Sequence, residues 1–308
     1  MQRLLTIVTL VGLLVATAAA FAITEKLKLT KSAVYGTLVS ARLSPTCGCA
    51  HGKSRIFFKL RRADDITVSI LNAHEQEVAI LAAQHYPRGP LTLRWNGRDD
   101  EGRRAPDGTY RVQVHLSGQH QTIDLPNRIV LDTTPPKIVS VVENRDIFSP
   151  DNDHQSDFVR LTYTLSKPAH VILYLGGTRI HRTYRARVKG SISWFGDGPD
   201  GTLEAGTYTL TLGAVDLNGN TTPVAERWPV HLQIRFITLA STKIAAGAGR
   251  RFSIGVSTDA KRYTWQLGSR HGRGSSPVLR LLAPTTRGRY TLTVTEHGHS
   301  SRAAVFVR

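Results

Sequence analysis

The chain has 308 residues, a hydrophobic fraction of 41%, a charged fraction of 20% and a formal net charge of +17. That length bounds two or three domains and buries real cores, which excludes a mini-protein that depends on staples. The positive excess favours anionic partners: wall polymers, lipid headgroups or nucleic acid.

In chain order, Arg3 precedes an uncharged run of 21 residues, Leu4 to Thr24. That matches the ~20 residues that cross a bilayer as a helix. Residues 1–24 are therefore predicted to be a signal-anchor or transmembrane helix of a single-pass cell-membrane protein with extracellular domains. Cleavage and secretion, at the small residues Ala18, Ala20 and Ala22, is the alternative. Lys26, Lys28 and Lys31 follow the run, so the positive-inside rule does not support this orientation. Residues 25–42 read as a juxtamembrane segment.

Beyond it, Val, Thr, Ile and Tyr recur in short bursts punctuated by Gly and Pro, an all-β pattern. In 43–131, strands are predicted at Arg55–Leu60, Ile66–Leu71, Leu91–Trp95 and Tyr110–Leu116. Asp132-Thr133-Thr134-Pro135-Pro136 reads as a stiff linker. In 137–233, strands are predicted at Phe158–Leu165, His170–Leu175, Ile192–Phe195 and Tyr208–Val215. In 234–308, they are predicted at Phe252–Val256, Tyr263–Leu267, Gly288–Val294 and Ala303–Val307. Ser-Pro pairs at 44–45 and 149–150, Trp95 and Trp194, and Tyr110 and Tyr208 recur at offsets of 105, 99 and 98. An offset near 100 residues is one sandwich domain. The expected fold is thus tandem Ig-like or fibronectin-III-like β-sandwiches behind one transmembrane helix, joined as a semi-rigid rod. In each Gly-x-Tyr corner the ring is expected in the core and the hydroxyl bonded back to the preceding turn.

Trp95-Asn96-Gly97-Arg98-Asp99-Asp100-Glu101-Gly102 followed by Pro106-Asp107-Gly108-Thr109-Tyr110 resembles the Ig-like domain named after the flagellar hook-cap protein FlgD. Phe148-Ser149-Pro150-Asp151-Asn152-Asp153 and Ala214-Val215-Asp216-Leu217-Asn218-Gly219-Asn220 resemble the two ends of a second copy. The resemblance spans roughly 40–225. It implies a repeated surface module and no flagellar role, and the layout resembles actinobacterial envelope proteins. Two departures stand out: the loop after the first Ser-Pro is Thr46-Cys47-Gly48-Cys49-Ala50-His51, and His154 replaces a usual Gly in the second.

Asp151, Asp153 and Asp157 are hard oxygen ligands suited to Ca²⁺, with Asp197 and Asp200 expected to complete the site. The competing reading is a solvated acidic turn. Cys47 and Cys49, the only cysteines, are expected to form a disulfide of very small ring, with a soft-metal cluster that includes His51, or free or intermolecular thiols, as the alternatives. His297-Gly298-His299 reads as a turn rather than a metal site. From Arg235 onward, 13 Arg and Lys face two acids, 13 − 2 = +11. Arg250, Arg251, Lys261, Arg262, Arg270, Arg273, Arg287 and Arg289 form the predicted binding surface for an anionic polymer. The segment around Arg270 and Arg273, with Gly272, Gly274, Ser275 and Ser276, is expected to be a mobile loop.

No nucleophile elbow, phosphate loop or His-Glu-x-x-His occurs. The expected function is a non-enzymatic, membrane-anchored envelope spacer. Its basic last domain is expected to contact an anionic wall polymer or an envelope protein. The alternatives are a purely structural subunit, a nucleic-acid binder, and an accessory module of a secreted hydrolase.

Overall fold

The computed structural model describes residues 2–29, 32–275 and 277–308, with helix side chains over 9–22. Lys26, Lys28, Lys31 and Ser276, named above, lie outside the residues described with their side chains. Among the described residues the chain is all-β apart from the N-terminal helix Gln2–Leu29 and two single 3-10 turns. It divides into two compact units, 1–133 and 134–308.

The helix corrects the N-terminal expectation. Among the described residues, no helix is long and apolar enough to cross a membrane. The transmembrane helix and the single-pass location are overturned by this finding.

The first unit pairs two sheets. One orders Val34–Val39, Ser54–Leu60 and Gly89–Trp95. The other orders Arg42–Leu43, Ile129–Leu131, Gly108–Leu116, Asp64–Leu71 and Glu77–Tyr86, with Gln121–Asp124 beside Gly108–Leu116. Strict alternation puts Ile56, Phe58 and Leu60 of one sheet against Val112, Val114 and Leu116 of the other.

The second unit holds two cores. In its first sandwich the two strands expected at 158–175 are one 17-residue strand, Val159–Leu175. Residues 161–165 pair with Ile138–Glu143, and residues 159–164 with Lys189–Trp194; from Ala169 the strand pairs with Gly206–Asp216. Pro168, which has no N–H to donate, falls where the pairing changes hands. The last sandwich stacks Thr238–Leu239, Arg251–Ser257 and Val278–Leu282 on a sheet ordered Lys243–Ala246, His299–Val307, Gly288–Glu296, Tyr263–Leu267 and Arg270–Gly274.

The same corner recurs three times. Tyr110, Tyr208 and Tyr290 donate hydroxyl hydrogen bonds to the carbonyls of Pro106, Glu204 and Thr286, at 2.6, 2.9 and 3.0 Å. Trp95 and Trp194 are buried, and each indole N–H donates to the carbonyl three residues on, both at 2.8 Å. Gly97 and Gly196 follow at φ +75° and +76°, and a Cβ there would come within 2.8 Å of Pro45 and 2.7 Å of Pro150. The Ser-Pro pair thus lies over the Trp-x-Gly turn in both copies, which explains their shared spacing.

Candidate functional site

The loop after Ser149-Pro150 is built by its own carboxylates. Asp153 N donates to Asp151 Oδ1 (3.3 Å) and Gln155 N to Asp153 Oδ1 (2.6 Å), two successive Asx turns. Asp157 accepts from the backbone N–H groups of Asn152 (2.8 Å) and His154 (2.9 Å). Asn152, His154 and Ser156 alternate with these at φ 64°, 68° and 50°. His154 therefore adopts the left-handed conformation that a glycine takes most easily. The alternation gathers Asp151, Asp153 and Asp157, with one oxygen of each within 4.8 Å of the others.

Two further carboxylates meet Asp151 from the last sandwich: oxygens of Asp151, Asp259 and Glu296 also lie within 4.8 Å of one another. Asp259 follows the strand Arg251–Ser257, and Glu296 ends the strand Gly288–Glu296. Glu296 is only 4% exposed. Its Oε2 accepts from Thr258 Oγ1, while its Oε1 has no donor among the described residues. The group it meets is the Asp151 carboxylate, so a hydrogen bond between them requires a shared proton. Asp259 Oδ2 is likewise buried without a donor. Burial, followed by the charges of Asp153, Asp151 and Asp157, pushes Asp259 up to about 6. Burial, followed by contact with Asp151, pushes Glu296 up to about 7. Among the described residues, no Lys or Arg pairs with any of the five. Asp197 and Asp200, expected to complete the site, do not join this cluster; Asp197 instead lies 2.8 Å from His181 Nε2.

All eight predicted basic residues are exposed, yet they do not share one groove. A groove of about 470 Å³ is lined by Arg251, Arg270 and Arg280 beside Trp265 and Phe252. Arg280 was not among the eight. Arg273 lines a neighbouring depression across Trp265, with Thr264, Gln266 and His271. Arg250, Lys261, Arg262, Arg287 and Arg289 line neither. The expected mobile loop is a strand, Arg270–Gly274, paired with Tyr263–Leu267. Its glycines face aromatic rings: a Cβ at Gly272 would lie 2.8 Å from Trp265 Cζ2, and one at Gly274 2.6 Å from Tyr263 Cε2. They are small to fit cross-strand rings, not to loosen the chain.

In the first unit Cys47 and Cys49 are joined as a disulfide. His51 lies in a 3-10 turn, Ala50–Gly52. His297 and Gly298 form the turn between the strands ending at Glu296 and starting at His299.

Residues 47–119 match the family model of the FlgD Ig-like domain, which makes the first sandwich a domain of that type. No curated protein matches the chain. Solved structures with similar folds include the I67–I69 I-band fragment of titin, at 11% identity and TM-score 0.29, covering 83% of this chain and 91% of that one. The full ectodomain of mouse nectin-like molecule 4 is similar at 14% identity and TM-score 0.29, covering 83% and 95%. A Bacteroides ovatus glucan-utilization protein, SGBP-B, in complex with a mixed-linkage heptasaccharide, is similar at 16% identity and TM-score 0.25, covering 91% and 69%. Likeness at this level carries no functional weight. What stands is a chain of Ig-like β-sandwiches, an architecture suited to a spacer or binding module.

Proposed function

We propose that the chain is a non-enzymatic spacer and binding module whose last sandwich engages an anionic polymer of the kind found in cell walls. The observation that carries this reading is the convergence of Arg251, Arg270 and Arg280 on one groove beside Trp265. A guanidinium fork pairs with carboxylate or phosphate oxygens, and an aromatic face beside it receives an apolar or sugar surface. Arg270 is already oriented, since its Nη1 donates to Leu282 O at 2.8 Å. Elution of the full chain from heparin-agarose in a salt gradient tests the reading. The R251A/R270A/R280A variant is expected to elute at clearly lower salt than K261A/R262A/R287A, which removes the same charge outside the groove. Equal elution of the two variants would reduce the surface to undirected charge.

A further inference from the structure

The last sandwich carries only two acids from Arg235 to Arg308, Asp259 and Glu296, against 13 Arg and Lys. Both meet Asp151 across the junction with the preceding sandwich. A basic domain that sends its whole acidic complement to one point, against three more carboxylates, gathers five like charges where each weakens the others. Without a counter-charge such a cluster is destabilising.

We propose that Asp151, Asp153, Asp157, Asp259 and Glu296 form a divalent-cation site, matched to Ca²⁺, that fastens the second sandwich to the third. Two independent observations point to a ligand. The first is the side chain of Glu296, more than nine-tenths buried, with Oε1 lacking a donor and the carboxylate placed against Asp151. The second is the absence, among the described residues, of any Lys or Arg partner for the five carboxylates. The donor set is all oxygen and mostly anionic, which selects a hard cation over zinc or copper. Five carboxylates from three separate segments offer the number and irregular geometry that Ca²⁺ accepts, whereas Mg²⁺ demands a near-ideal octahedron and keeps its waters. The Asx turns engage oxygens of Asp151 and Asp153 that each retain a second lone pair for a metal. A pocket of about 210 Å³ lined by Ser149, Ser156, Thr258 and Asp259, and by Arg235, which pairs with none of the five carboxylates, opens beside the cluster, leaving room for water to complete the shell.

Calorimetric titration of CaCl₂ into the EDTA-stripped full chain tests this, with MgCl₂ titrated in parallel. The expected result is a saturable heat with about one Ca²⁺ per chain, weaker or absent for Mg²⁺. E296Q, from the third sandwich, and D153N, from the second, are each expected to weaken binding at least tenfold. E296Q replaces a buried carboxylate, one oxygen of which lacks a donor, by an amide of the same shape, and D259N repeats the test should E296Q fold poorly. No saturable heat together with unchanged melting at millimolar CaCl₂ would overturn the site. A calcium response that D153N abolishes while E296Q and D259N leave it intact would confine binding to one loop and overturn the bridge.

Discussion

The loops after the two Ser-Pro pairs occupy the same place in two sandwiches and are held by different chemistry. Both close through the same backbone bond, from Ser44 N to His51 O at 2.8 Å and from Ser149 N to Ser156 O at 3.2 Å. Both rest Pro on the following Trp-x-Gly turn. At the 105-residue offset of these pairs, Asp151, Asp153 and Asp157 correspond to Thr46, Gly48 and Gly52, and Asn152 and His154 correspond to Cys47 and Cys49. The first loop has no carboxylate at these positions and is closed by a disulfide. The second has no cysteine and holds three carboxylates that face two more from the next sandwich. One frame thus accepts a covalent tie within a domain or an ionic tie between domains, and the substitutions that distinguish them are few.

The frame itself should be the most sensitive part of this comparison. G97A and G196A each force a left-handed φ on a side chain and press a Cβ into proline. Each is expected to cost about 2–4 kcal/mol in denaturant unfolding. A large inequality between them would mean the two copies do not share one frame.

The acidic loop should make stability depend on pH in a way the disulfide loop does not. Burial raises Glu296 to about 7 and Asp259 to about 6, so the folded chain holds protons that the unfolded chain releases near pH 4. This contribution is fully present below the unfolded values and is lost as pH rises through 6 and 7. In EDTA, the melting temperature of the second unit is expected to fall from pH 5 to pH 8. The groups facing Glu296 and Asp259 include Asp151, Asp153 and Asp157, and Arg235 lines the adjoining pocket, so E296Q should flatten the profile. A melting temperature that rises over that range would contradict the assignment.

Smaller effects sharpen the contrast. C47S/C49S removes a tie that closes a very short ring, and chain entropy limits its effect on the first unit to about 1.5 kcal/mol. The calcium response should survive this change. D200N should alter neither loop, because the structure keeps Asp200 out of the cluster; calorimetry that shows weakened Ca²⁺ binding in D200N would restore the completion expected from sequence.

Much of this was legible in the chain. The all-β pattern, the Trp and Tyr spacings and the Gly-x-Tyr corners report local backbone requirements, and those lie within a few residues of each other. The three aspartates were legible for the same reason. Asp259 and Glu296 were not, because their meeting with Asp151 depends on how two sandwiches abut, 108 and 145 residues away in sequence. The signal that could have found them is their isolation as the only acids in a basic stretch. Gly272 and Gly274 were misread as looseness because the rings they face, Trp265 and Tyr263, lie on the partner strand. The span expected at the N-terminus is not met, since among the described residues no helix is long and apolar enough to cross a membrane. The arginine groove was half legible: charge showed the domain, but only strand pairing brings Arg280 to Arg251 and Arg270.

Hydrogen exchange of the full chain, read by region with and without CaCl₂ and with and without a thiol reductant, tests the two-tie account most directly. Calcium is predicted to slow exchange at 149–158 and at 257–260 together while leaving 44–54 unchanged, and reductant is predicted to do the reverse. Protection of 149–158 without 257–260, or no calcium effect on either, would contradict it.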